Sequence, residues 1–472
     1  MTSGYPCRPR AGFFARLEGG LGLDNQGAEQ AVILSDTHIH IPSGFEPGWI
    51  YELVYTGRDP LVLGLAHAAV RDFISFLRYQ AEDAAGRTNP LWEGGGSVEK
   101  AYARDRSQTG RCMRDFVYRG FNAGAGGRKV FDGILPHVAG AGRKWLNHRF
   151  ANAVVSGGQQ YEDHFNPADT FPFCYAETTN HLTGRRDAIL KRPETDPLVI
   201  HTQSSTEYWQ RRGSLVHTHT RGNDLPQPET VRVYFWASSQ HFADPLARAP
   251  TRGVCQQLAN VVRTSMLFRA LLDAMDAWVT HATPPPPSRI PRRADGTLVA
   301  ISDWLHQFPR IPGVATPSAP NALPWLDFGP DAEQGILRQP PRVKAPAGYA
   351  VLVPAVDADG NDRSGIRAPM VAAPLATYTG WNLRARGFGH GYMHEFTGST
   401  IPFADSPEER AAVGDPRRAI LERYASSADY VAAIRAAAEK LVAERLMLAE
   451  DVERAVAAAR AWDTPRHDVR LP

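Results

Sequence analysis

The stretch Ala101-Tyr102-Ala103-Arg104-Asp105-Arg106-Ser107-Gln108-Thr109-Gly110-Arg111-Cys112-Met113-Arg114-Asp115-Phe116-Val117-Tyr118-Arg119-Gly120-Phe121-Asn122 decides how the rest of the chain is read. Ala101 and Ala103 alternate with polar neighbours as on a strand, a small polar turn follows at Ser107 to Gly110, and Cys112, Met113, Phe116, Val117 and Phe121 then recur at helical spacing. The pattern predicts strand, tight turn, helix. A serine in such a turn projects its hydroxyl from the tip of a sheet, beside the first backbone N–H groups of the helix. An acyl-transfer nucleophile needs both: exposure for attack, and donors for the oxyanion that forms. An ordinary strand-to-helix turn that happens to contain a serine has the same pattern.

Two later segments share this shape. Leu198-Val199-Ile200-His201-Thr202 leads into Gln203-Ser204-Ser205-Thr206-Glu207-Tyr208-Trp209, and Val231-Arg232-Val233-Tyr234-Phe235-Trp236 leads into Ala237-Ser238-Ser239-Gln240-His241. Strands alternating with helices predict a largely parallel sheet, whose ligand site lies outside the carboxyl ends of the strands. Ser107, Glu207 and His241 each follow such an end, in the order nucleophile, acid, base. That order belongs to the α/β-hydrolase arrangement, a mostly parallel central sheet flanked by helices. In it His241 would move the Ser107 proton and Glu207 would hold the imidazole. The backbone N–H of Gln108 would give one oxyanion donor, and the Thr56-Gly57 turn after an earlier strand the second.

Composition is compatible with this and excludes other classes. A hydrophobic content of 43% with 22% charged residues suits a globular protein, and a net charge of +2 indicates no nucleic-acid partner. No run of about eighteen apolar residues exists, so no membrane span is expected. Met1 to Gly20 lacks the continuous apolar centre of a signal peptide, which as written leads to a cytoplasmic expectation. Cys7, Cys112, Cys174 and Cys255 are too scattered for a disulfide framework and form no C-x-x-C zinc motif, so they read as free thiols, with Cys112 a packing residue. No metal or other cofactor is expected, and the partner is a small-molecule ester. Oligomeric state is not legible.

The residues that carry a family resemblance run from Gly44 onward. They are Gly44 to Tyr55 (Gly-Phe-Glu-Pro-Gly-Trp-Ile-Tyr-Glu-Leu-Val-Tyr), Ser107 to Arg111, Asp115 to Asn122, Phe131-Asp132-Gly133, His137 to Arg143 and Ser204 to Trp209, then Ala376 to Arg384 and Ile401 to Ala404. Together, in one order, they resemble a bacterial family of α/β-hydrolase domain-containing proteins. The resemblance implies carboxylic-ester hydrolysis without implying a substrate class. Two departures stand out. Asp105 occupies the position two before the nucleophile where such proteins carry Gly, and a carboxylate there would crowd the turn or perturb His241. Only some forty weakly patterned residues precede Gly44 where the resemblance implies a β-rich segment. A longer N-terminus, with secretion or a periplasmic location, is therefore the alternative expectation.

Two other readings stay open. His38-x-His40 and His217-x-His219 place histidines on one strand face as metal ligands are placed, which would suit a metal-dependent hydrolase, although sixteen histidines produce such pairs by chance. Asp105 and the short N-terminus would suit a non-catalytic member of the fold. Asp357-Ala358-Asp359-Gly360-Asn361 opens like a calcium loop, but Asp362 stands where Gly is needed, so it reads as a turn. His137, His148 and His164 lie in a Gly-, Asn- and aromatic-rich excursion over residues 140–195 and its approach; they could reach the site, but read first as surface residues.

The chain divides into an N-terminal segment (1–43), a hydrolase core (44–283), a Pro/Gly-rich cover (284–400) and a C-terminal helical segment (401–472). Trp49 to Tyr55 reads as a strand, and Ala66, Val70, Phe73 and Leu77 as one helix face. Val254 to Val279 reads as a long helix that closes the core, and Pro284 to Pro287 as a stiff break. The cover would bring Tyr378 or Trp381 to the substrate, unless these aromatics only anchor the cover. Val431, Ile434, Ala438 and Leu441, then Val452, Val456 and Ala459, predict a helical hairpin.

Overall fold

Four strands form the central sheet: β1 (Tyr102–Arg106), β2 (Gly133–His137), β3 (Leu198–Ser204) and β4 (Val231–Trp236). In the computed structural model, which describes residues 12–17, 26–27, 32–35, 38–42, 44–45, 49–54, 59–60, 63–93, 98–144, 148–150, 169–242, 251–338 and 341–461, they lie side by side in chain order, all parallel. Register aligns Arg106 with His137, His137 with Thr202 and Thr202 with Tyr234. The four carboxyl ends therefore stand level, and the loops that leave them meet at one edge.

The strands β2 to β4 are buried on both faces, as a sheet sandwiched between helices requires. Successive side chains divide between two cores. Ile134, Val199 and Val233 join Met113, Phe116 and Val117 of α2 (Gln108–Tyr118). Leu135, Ile200 and Tyr234 join Leu267, Leu271 and Met275 of α4 (Ser265–His281) on the opposite face. Ile434, Leu441 and Val456 of the hairpin α5 (Ser427–Ala443) and α6 (Glu450–Arg460) extend that second core. A third core gathers Trp209 of α3 (Ser205–Gln210) with Trp304, Phe308 and Trp381 beyond the carboxyl edge. The fold is the α/β-hydrolase arrangement, with its C-terminal helical hairpin.

Several local expectations are corrected. The helix α1 (Leu65–Tyr79) does not bury the Ala66, Val70, Phe73 face; Phe73 is 60% exposed, whereas His67 and Arg78 are buried. Both are drawn in by carboxylates: His67 Nε2 lies 3.1 Å from Asp115, and Arg78 Nη2 lies 2.8 Å from Asp132. Burial alone would lower the His67 pKa, but hydrogen bonds to Asp115 and Cys112 outweigh it and raise it to about 9. Residues 254–264 are not helical. Asn260 Oδ1 accepts the Val262 N–H at 2.8 Å, and Leu258–Ala259 pairs with the strand Ser399–Pro402. The N-terminal residues are better ordered into strands than their pattern suggested, since Gly12–Leu17 pairs antiparallel with Trp49–Val54. The excursion before β3 contributes Phe171, Phe173, Tyr175 and Ile189 to the α2-side core rather than running wholly over the surface.

Candidate active site

Ser107 is the only residue between the end of β1 and the start of α2, so the chain must reverse within it. It does so at φ 55° and ψ −115°, a conformation that costs a non-glycine residue about 1–3 kcal/mol. The turn is held on both sides. The Ser107 N–H donates to the His137 carbonyl at 2.8 Å, and the Arg111 N–H donates to the Ser107 carbonyl at 3.0 Å as the first helical bond. Gly110 lets α2 sit close, because a Cβ there would lie 3.2 Å from the His137 carbonyl oxygen and 3.3 Å from Ala139 Cβ. Gln108 occupies the first helical position, at the positive end of α2 and beside the serine hydroxyl.

Glu207 is fixed by the helix that carries it. Ser204-x-x-Glu207 is a capping box, in which Glu207 Oε2 accepts the Ser204 backbone N–H at 2.9 Å and the Ser204 hydroxyl at 2.5 Å. Oε1 is left to face His241, whose Nδ1 lies 2.5 Å away. His241 Nε2 in turn lies 2.8 Å from Ser107 Oγ. Glu207 and His241 are fully buried, which strengthens the interaction between them.

The histidine loop is pinned by contacts that hydropathy does not reveal. Ser238 turns at φ 56°, and its N–H donates to Asp362 Oδ2 at 2.6 Å. Burial, partly offset by that N–H, pushes the Asp362 pKa up to about 7. The His241 N–H donates to Thr206 Oγ1 at 3.3 Å, and Arg106 Nη2 donates to the His241 carbonyl at 2.9 Å. Phe396 stacks on the imidazole with centroids 4.3 Å apart, and Phe242 meets it edge-on at 5.0 Å. Of these residues only the capping box had a readable signature.

The other candidates fall elsewhere. Tyr378 and Trp381, expected against the substrate, are each 1% exposed and packed into the second and third cores. Their segment instead supports the acid: Thr206 Oγ1 donates to the Gly380 carbonyl at 2.8 Å, and Gly380 presses on the start of α3. Thr56, Gly57 and His164 lie outside the described residues. Asp105 follows Ala103 in the alternation toward α2. Burial raises its pKa and the Thr109 hydroxyl partly offsets the rise, while the imidazole nitrogens of His241 face Glu207 and Ser107.

His137 and His148 are buried rather than superficial, and His137 Nδ1 pairs with Thr202 Oγ1 at 2.8 Å. The two histidine pairs are engaged separately. His217 Nε2 pairs with the Tyr208 hydroxyl at 2.8 Å, His219 with Thr178 at 2.9 Å and His38 with Ser35 at 3.2 Å. Among the described residues no three His, Cys, Asp or Glu side chains gather as a metal site. Asp357 closes its turn by accepting the Asp359 and Asn361 N–H groups, each at 3.0 Å.

The chain matches a family model described as an alpha/beta hydrolase domain over residues 32–457. No curated protein and no solved structure matches it.

Proposed function

Because the chain belongs to the alpha/beta hydrolase domain family, we propose that it is a serine hydrolase of carboxylic esters that works through Ser107, His241 and Glu207. The observation that carries this reading is the unbroken relay from Ser107 Oγ through both imidazole nitrogens to Glu207, at 2.8 and 2.5 Å. His241 Nε2 takes the Ser107 proton as Oγ attacks the ester carbonyl, and Glu207 stabilises the imidazolium that forms. Charge on the carbonyl oxygen develops beside the positive end of α2, where the Gln108 N–H is a donor. Collapse of the tetrahedral species releases the alcohol with the proton from His241. Water, activated by the same histidine, then frees the acid from Ser107. The strained serine and the fixed imidazole spare the reaction the cost of arranging them.

Labelling with a fluorophosphonate probe, alongside hydrolysis of a short-chain aryl ester, tests the assignment. Ser107→Ala is expected to abolish labelling, and Ser107→Ala and His241→Ala each to lower kcat by about 10⁴-fold or more. A folded wild-type protein that takes up no probe would overturn it.

A further inference from the structure

On the α4 side of the sheet, against the last residues of the strand that ends at the proposed nucleophile, lies a cavity of about 250 Å³ whose lining is charged in one sense. Arg104, Arg106 and Arg269 contribute guanidinium groups to it, and no carboxylate does. Strand alternation explains the first two: Arg104 and Arg106 share a face of β1, opposite Asp105. Arg269 is neutralised from outside by Glu450 and Asp451. Arg104 stacks on the Phe268 ring at 4.4 Å, and Arg106 reaches the His241 carbonyl.

Two further features point the same way. The N-terminus of α4 opens at the cavity through Thr264 and Ser265, and its first turn holds no acidic residue to offset the helix dipole. Trp236 also lines the cavity. It is 2% exposed, and its indole N–H has no acceptor among the described residues. A buried donor without an acceptor is costly unless something supplies one. The neighbouring His137 is held well below the usual histidine pKa by burial and then by Arg106, so it does not relieve the charge.

The cavity borders the proposed machinery through Arg106. Arg106 immediately precedes Ser107, and its guanidinium rests on the backbone of His241. We propose that this cavity holds a carboxylate carried by the acyl chain of the substrate, so that the preferred esters are half-esters of short dicarboxylic acids. The planar guanidinium groups suit a carboxylate, and the Phe268 and Trp236 rings suit the methylene chain that leads to it. This inference rests on the serine-esterase reading above.

The test compares monomethyl glutarate with methyl valerate, hydrolysed by the full chain in a pH-stat, and measures glutarate binding to Ser107→Ala by calorimetry. The wild-type kcat/KM is expected to favour the half-ester by about tenfold or more, the scale of one or two charge-assisted hydrogen bonds. Arg104→Gln and Trp236→Phe are expected to shrink that ratio and to weaken glutarate binding. A defect in folding would lower both rates together and leave the ratio alone. Equal wild-type rates on the two esters overturn the proposal. So does inorganic phosphate binding as tightly as glutarate without any half-ester preference, which would mark a site for a free anion. If no ester is cleaved and no fluorophosphonate label is taken up, the esterase reading fails. Saturable glutarate binding that Arg104→Gln abolishes would then still support the carboxylate site, and its absence would overturn that as well.

Discussion

Asp362 shows how a single residue far in sequence sets the geometry of the proposed base. Its carboxyl holds the Ser238 N–H and so fixes the turn that delivers His241. With its pKa raised from 3.8 to about 7, the folded state binds its proton more tightly than the unfolded chain does. Its contribution to stability is therefore complete below pH about 4 and is lost as pH rises through about 7. Asp362→Asn keeps an acceptor for Ser238 but cannot ionise. Urea denaturation at pH 5 and pH 8 should show the wild type losing more stability between the two than the Asn variant does. Equal losses would show that Asp362 is ionised throughout. Asp362 stood out in the sequence only as the residue that spoils a calcium loop; its role at Ser238 was not legible, because the two are 124 positions apart and neither belongs to a periodic run. Phe396 escaped notice for the same reason. That Ser107, Glu207 and His241 lie together was legible because each follows a strand end, and the strand ends align.

At the scale of elements, α3 is held from two sides, by its capping box and by the backbone of Gly380. A Cβ at Gly380 would fall 2.4 Å from the Ser205 carbonyl carbon and 2.5 Å from the Thr206 nitrogen. Backbone cannot yield as a flexible side chain would, so Gly380→Ala should displace the first turn of α3 and with it Glu207. We expect a destabilisation of about 1–3 kcal/mol, typical of overpacking, accompanied by a fall in ester turnover of tenfold or more. Calorimetry and kcat measured on the same preparation check this; an unchanged kcat would show that α3 is not braced there. This contact accounts for the misplacement of Tyr378 and Trp381. Of the two roles open to these aromatics, substrate contact and anchoring, the packing favours anchoring: the glycine between them demands close approach, and the rings fill the cores on either side. Periodicity misled at α1 for a related reason: hydropathy cannot anticipate that His67 and Arg78 will be buried, because their burial depends on Asp115 and Asp132 of other segments. It misled again at residues 254–264, where an apolar stretch is diverted from helix by strand pairing at Leu258–Ala259 and by the turn that the Asn260 side chain closes on Val262.

Across the whole molecule, the α4-side core joins the central sheet to the C-terminal hairpin in one cluster, from Leu135 and Ile200 to Ile434 and Val456. The hairpin was legible from its spacing, but its partner was not, since a helical stripe specifies an apolar face and not what covers it. Ile434 is 2% exposed, so Ile434→Ala should cost about 2–5 kcal/mol. If the cluster is one cooperative unit, fluorophosphonate labelling and far-UV circular dichroism should be lost in the same urea transition, shifted together in the variant. Labelling that outlasts a first step in the dichroism would show that the hairpin unfolds alone. The arrangement also bears on how the protein is made. Ser107, Glu207 and His241 are all synthesised before residue 242, yet Ile200 and Tyr234 stay uncovered on one side until α4 is translated, and Asp362 and Gly380, which hold the His241 turn and the start of α3, come later still. A nascent chain thus carries all three side chains well before the contacts that hold them still have been made.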